Sequence, residues 1–114
     1  MLENPNPYLL GFTSQNIDQL SGDDAGIKRR ILSILNEEYP LEREQYNAYK
    51  ESKDSLGAFI LVSKLKHKLG LLGLDKAYDG ATSHANALRE GSWVHMDDFD
   101  RILQALEQSI LSLK

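Results

Sequence analysis

The chain has no cysteine in its 114 residues, which excludes disulfide staples, thiolate nucleophiles and cysteine-ligated zinc in one stroke. Long apolar runs are missing too. The longest, Ala58 to Val62, is far short of the ~20 residues a membrane-crossing helix needs, so no membrane association is expected. Basic residues are in deficit: 13 Lys and Arg stand against 17 Asp and Glu, a formal net charge of -4. A general nucleic-acid binder needs a basic face to neutralise phosphates, so nucleic acid is not an expected partner. Strict alternation of β-branched residues is almost absent, which removes the signal for a sheet. The N-terminal stretch carries Glu3, Pro5 and Pro7 where a secretory signal needs basic residues and a long apolar core. A cytoplasmic protein is therefore expected.

Hydrophobic residues at 41% and charged residues at 26% suit a packed core rather than disorder, and the length suits one domain. Residues 1–12 read as an extended arm and 13–114 as a helical domain. Ile17 and Leu20 sit in a short helical segment that Ser21-Gly22 ends. Asp23 or Asp24 then caps a helix carrying Ile27, Ile31, Ile34 and Leu35 on one face. Pro40 lacks an N–H, so it is expected to end or kink that helix, and residues 40–52 to continue as a second piece. Within that piece, Leu41 to Gln45 read as an ordinary solvated face.

Ser52 or Asp54 caps a third segment running to Leu71. Gly73 and Asp75 mark a tight break, and a fourth helix follows from about Asp75 to Glu90, stopped by Gly91. Asp97 or Asp98 caps a last helix through Phe99, Ile102, Leu103, Leu106, Ile110 and Leu113, with Trp93 and Met96 stapling it to the rest. Short connections between amphipathic helices of similar length predict an all-α, antiparallel up-and-down four-helix bundle with N-terminal additions.

The helix over 54–71 is the informative one. At about 100° per residue, Ala58, Leu61, Val62, Leu65, Leu69 and Leu72 form one stripe, sufficient for the core. The opposite side is not cleanly polar. Leu56, Phe59, Ile60, Ser63, His67, Gly70 and Leu74 cluster there, with Lys64, Lys66 and Lys68 at the flanks. An apolar patch with small residues at its centre and lysines at its edge suits a protein-docking face, unless the N-terminal segment covers it internally.

This pattern resembles the histidine phosphotransfer (HPt) domain of bacterial multistep phosphorelays. That family carries a mid-helix histidine, then lysine three residues on, glycine at four and a further glycine at ten. Lys66 and Gly73 match the lysine and the last glycine, which sets Ser63 at the phosphoacceptor position and His67 at the glycine. The likeness extends over about residues 13–114, through "GDDAGIKRRILSILNEEYPLEREQYNAYKESKD" and "LREGSWVHMDDFDRILQAL". It implies an HPt-like bundle, a response-regulator receiver domain or sensor histidine kinase as partner, and no cofactor or metal. A monomer is expected.

The chemistry departs from the family. A relay histidine works because its phosphoramidate is labile, whereas a phosphoserine ester is inert to transfer, so Ser63 is no relay intermediate. Two readings follow. In one, Phe59, Ile60, Ser63, Lys64, Lys66, His67 and Gly70 dock a signalling partner without relaying phosphate. In the other, His67 is a phosphoacceptor shifted one helical turn, about 6 Å along the axis, which in-line transfer tolerates poorly. A helical adaptor unrelated to signalling is the third possibility, favoured if the arm covers the 59–70 face.

Other constellations are weaker. His95, Asp97, Asp98 and Asp100 match no zinc or calcium spacing and read as helix-start charges. His84 reads as a partly buried or surface histidine. Ser63 and His67 at i and i+4 resemble a hydrolytic dyad only superficially, since a helix surface offers no oxyanion hole.

Overall fold

The computed structural model describes residues 6–113, and residues 1–5 of the expected arm lie outside that range, as does residue 114. Within it the chain is all-helical: a 3-10 turn at Pro7–Leu9, then α1 (Gln15–Ser21), α2 (Ala25–Ser52), α3 (Ser55–Leu71), α4 (Asp75–Arg89) and α5 (Met96–Ser112), with no strand among the described residues. None of these helices is long and apolar enough to cross a membrane.

The caps explain the boundaries. Asp24 accepts from the N–H groups of Gly26 and Ile27 at 2.8 and 3.1 Å, so it starts α2 and Asp23 does not. Asp54 accepts from Gly57 N–H at 2.9 Å and starts α3, while Ser52 closes α2 by donating to the Tyr49 carbonyl. Each such cap satisfies otherwise orphaned N–H groups, with about 1 kcal/mol at stake. At α5 the expectation fails. The helix begins at Met96 after His95, and Asp97 and Asp98 lie inside its first turn, where their charge complements the helix dipole without capping.

Pro40 does not end α2. The helix runs 28 residues through it, about 42 Å, close to the molecule's longest extent of 44 Å. The loss of one N–H is offset by neighbours that anchor α2 on both sides of Pro40. Tyr39 is buried and donates to the Leu103 carbonyl at 3.0 Å, and Tyr46 is fully buried. The arm is not simply extended either. Asn6 caps the Pro7–Leu9 turn and donates through Nδ2 to the Arg101 carbonyl, so the turn rests on α4 and α5.

The core forms where α3 packs most extensively on α4, then on α2, with α5 closing against α4 and α2. Ala58, Leu61, Val62, Leu65, Leu69 and Leu72 are all buried in it, as the periodicity requires. Leu74, expected on the outer side, is fully buried because the chain has already left the helical path at Gly73 (φ +73°). Gly73 also allows close passage: a Cβ there would sit 2.7 Å from the Gly11 carbonyl oxygen. The α2 stripe is only partly used. Leu35 is buried, Ile31 half-buried, and Ile27 and Ile34 are exposed.

His84 is not at the surface. It is fully buried, with Nε2 2.8 Å from the Tyr46 hydroxyl and its ring packed among Phe99, Trp93 and Tyr46 at centroid separations of 4.9, 6.2 and 6.0 Å. Its Nδ1 has no partner among the described residues. Burial pushes the imidazole pKa down to about 4, His95 nearby acting in the same direction and Asp100 against it. The unfolded chain therefore takes up a proton below about pH 6.5 that the folded chain refuses until about pH 4. Stability from this site is complete above 6.5 and falls by about 3 kcal/mol on going to pH 4. Urea titrations across that window should show this slope, and the Tyr46→Phe/His84→Phe pair, which strands no polar group, should flatten it.

Candidate functional site

With the apolar stripe of α3 sealed, the remaining circumference has one edge toward α4, one toward α2 and a strip between. Leu56 and Ile60 in that strip are 61% and 57% exposed. Phe59 is half-buried and leans on the core. Ser63, also half-buried, donates its hydroxyl to the Phe59 carbonyl at 2.9 Å, one turn back in its own helix.

The three lysines part company. Lys66 turns to the α4 edge, its ammonium 5.1 Å from the centroid of the Tyr78 ring. Lys68 turns to α2, where Nζ lies 2.7 Å from Glu38 and 3.0 Å from Glu42. Burial alone would lower the Lys68 pKa, but its hydrogen bond to Glu38 and its attraction to the Glu42 carboxylate outweigh it and hold the group above its ordinary value. Lys64 is exposed and, with His67, lines a cleft between α2 and α3 that also contains Glu38, Leu41, Glu42 and Gln45. Next to it His67 and Lys68 border an apolar groove of about 190 Å³ walled by Ile31, Ile34, Leu35 and Leu71.

His67 itself is exposed and makes no hydrogen bond among the described residues. Gly70, by contrast, is half covered. Its carbonyl accepts from Asn16 Nδ2 at 3.2 Å, and a Cβ would meet the Tyr78 ring at 3.7 Å. Phe59, Ile60 and Ser63 make the outer strip, with Lys66 and Gly70 toward α4 and Lys64 toward α2, and His67, one turn beyond Ser63 on the same face, also lines the α2–α3 cleft.

The described part of the arm, residues 6–12, does not cover the strip. It crosses the α3–α4 turn, where Thr13 N–H donates to the Leu72 carbonyl at 3.0 Å, and continues over α4 and α5. Sequence reasoning missed Glu38, Glu42, Tyr78 and Asn16, all contributed by other helices. It also misread the stretch Leu41–Gln45 as merely solvated. The Glu42 and Lys68 side chains are only 14% and 13% exposed in their mutual ion pair, and Arg43 lies 3.6 Å from Asp100 of α5.

Asp100 is likewise engaged by Lys50 at 3.3 Å, so this one member of the acidic stretch ties α5 to α2. Among the described residues no group of three or more His, Asp or Glu side chains converges as a metal site would. No protein-family model, no curated protein and no solved structure matches the chain.

The ion pairs make an unequal prediction. Lys68→Met leaves the sheltered Glu42 carboxylate unpaired and should cost about 1–3 kcal/mol in urea denaturation at pH 7. Glu38→Gln, at a half-exposed position, should cost under about 1 kcal/mol by the same measurement.

Proposed function

We propose that the chain is an HPt-like interaction module, an up-and-down four-helix bundle of α2 to α5, that docks a response-regulator receiver domain or a sensor histidine kinase without relaying phosphate. The observation that carries this reading is the open outer strip of α3. Leu56 and Ile60 stand in solvent beside half-buried Phe59 and Ser63, with Lys64 and Lys66 on opposite rims. Exposed apolar side chains flanked by charge are what a protein partner desolvates, while the rim charges steer its approach.

Two further features support it. The Ser63 hydroxyl is already spent on the Phe59 carbonyl, and a phosphate ester there has no labile bond to pass on. The described part of the arm, residues 6–12, lies over α4 and α5 and leaves the strip open. The reading of His67 as a shifted phosphoacceptor is weakened by its setting. The lysine next to it is neutralised by Glu38 and Glu42, whose carboxylates line the same cleft and would repel a phosphoryl dianion.

The test is phosphotransfer and binding with a panel of radiolabelled phospho-receiver domains, and binding to sensor kinases. The expected outcome is saturable binding, no acid-labile label on the wild type, and affinity at least tenfold weaker in Ile60→Asp. Label that disappears in His67→Ala would replace docking by a working relay. Neither label nor binding across the panel would remove signalling from the account.

A further inference from the structure

We infer that a second copy of this chain pairs antiparallel with the first along α2, about a two-fold axis at Ile34. Ile27, Ile34 and Leu41 follow one another at seven-residue intervals, and they are 45%, 42% and 62% exposed. A seven-residue spacing keeps three large apolar side chains on one narrow seam of a straight helix, the arrangement by which helices pair. Among the described residues no other helix covers that seam. It looks outward beside the α2–α3 groove, whose wall already includes Ile34 and half-buried Ile31.

The occupant is identified by the charges beside the seam. Rotating α2 at about 100° per residue sets Arg30 and Glu37 on one shoulder, the one away from α3, and Glu38 on the other, where it meets Lys68. Arg30 and Glu37 are both exposed, and neither takes part in an ion pair among the described residues. A half-turn about Ile34 exchanges Ile27 with the partner's Leu41 and stacks Ile34 on itself. In antiparallel pairing each shoulder meets its own counterpart, so the same operation brings Arg30 against the partner's Glu37, and Glu37 against the partner's Arg30. One patch thus supplies both the apolar seam and two opposite-charge pairs, the self-complementarity that a closed two-fold dimer requires. A parallel pairing would instead set that shoulder against the partner's opposite one, where Glu38 is already held by Lys68. His67 borders the pairing, whereas Ile60, Ser63 and Lys66 face away from it. The inference is independent of the docking reading.

The experiment is sedimentation equilibrium of the full chain from about 5 μM to about 0.5 mM, a range that captures weak association. The mass should rise from 12.9 kDa toward twice that value. Ile34→Glu should stay monomeric throughout, with unchanged helical circular dichroism. Arg30→Glu and Glu37→Arg should each weaken association about tenfold, and the two together should restore it, because the swap recreates both pairs. The absence of native cysteine permits a positional check: Ile34→Cys should form a disulfide dimer under mild oxidation, whereas Ala48→Cys, two seam intervals from the axis, should not. A wild type that stays monomeric at 0.5 mM would overturn the pairing and assign the seam to a different protein. A dimer indifferent to Ile34→Glu, unrescued by the double swap, or cross-linked equally through both cysteines, would overturn it as well.

Discussion

Everything outside the core of this protein depends on α3 being closed on one side only. Leu65, Leu69 and Leu72 are fully buried because α2 and α4 flank the helix and α5 closes the space between them. Burial of that stripe accounts for most of what holds α3 in place, at roughly 1.5–3 kcal/mol for each large side chain sealed. Once the stripe is fixed, the angular position of every other residue is fixed with it. Lysines at 64, 66 and 68 then cannot act together. Steps of two residues turn the helix through about 200°, so neighbours in this series alternate between the α2 and α4 edges. One lysine lies over Tyr78, one is tied to two glutamates, and one is left exposed at the cleft.

The second consequence concerns α4. Its inner face is lined by small residues, Ala77, Ala81 and Ala85, which let the helix lie close to α3 and α5. The one bulky polar group on that face, His84, must then be buried outright. Tyr46 answers one nitrogen and the surrounding rings supply the packing, which leaves Nδ1 without a partner. An unanswered buried polar atom costs about 1–3 kcal/mol, so the site is held by its aromatic neighbours against a standing penalty. Burial in this setting is what holds the His84 pKa down at about 4.

Local periodicity made much of this legible. The apolar stripe of α3, the Asp24 and Asp54 caps and the turn at Gly73 all follow from residues within one or two turns of each other, and the structure has them. What failed was long-range. The Tyr46–His84 contact spans 38 residues and the Lys68–Glu38 pair 30, and no local pattern encodes either. Of the two outcomes expected at Pro40, an end of the helix does not occur, for a related reason. The proline's intrinsic cost is a local quantity, while the burial of Tyr39 and Tyr46 that overrides it is not. The acidic start of α5 misled differently: Asp97 and Asp98 have the right chemistry for a cap, but the backbone enters the helix one residue earlier, at Met96.

The cleft between α2 and α3 bears most directly on function, because docking and phosphoryl acceptance ask opposite things of it. An acceptor must stabilise about two negative charges on one side chain, and it needs cations free to move toward the phosphoryl oxygens. Beside His67 the sheltered cation, Lys68, is held by Glu42 at 3.0 Å and Glu38 at 2.7 Å, so its charge is already answered by two carboxylates. A docking surface has no such requirement. Mixed charge at its rim costs little, since each exposed pair is worth under about 1 kcal/mol, and it sets orientation while the apolar strip supplies the affinity. The pair that braces α2 against α3 therefore sets two carboxylates beside His67, and an acceptor at His67 would require removing them.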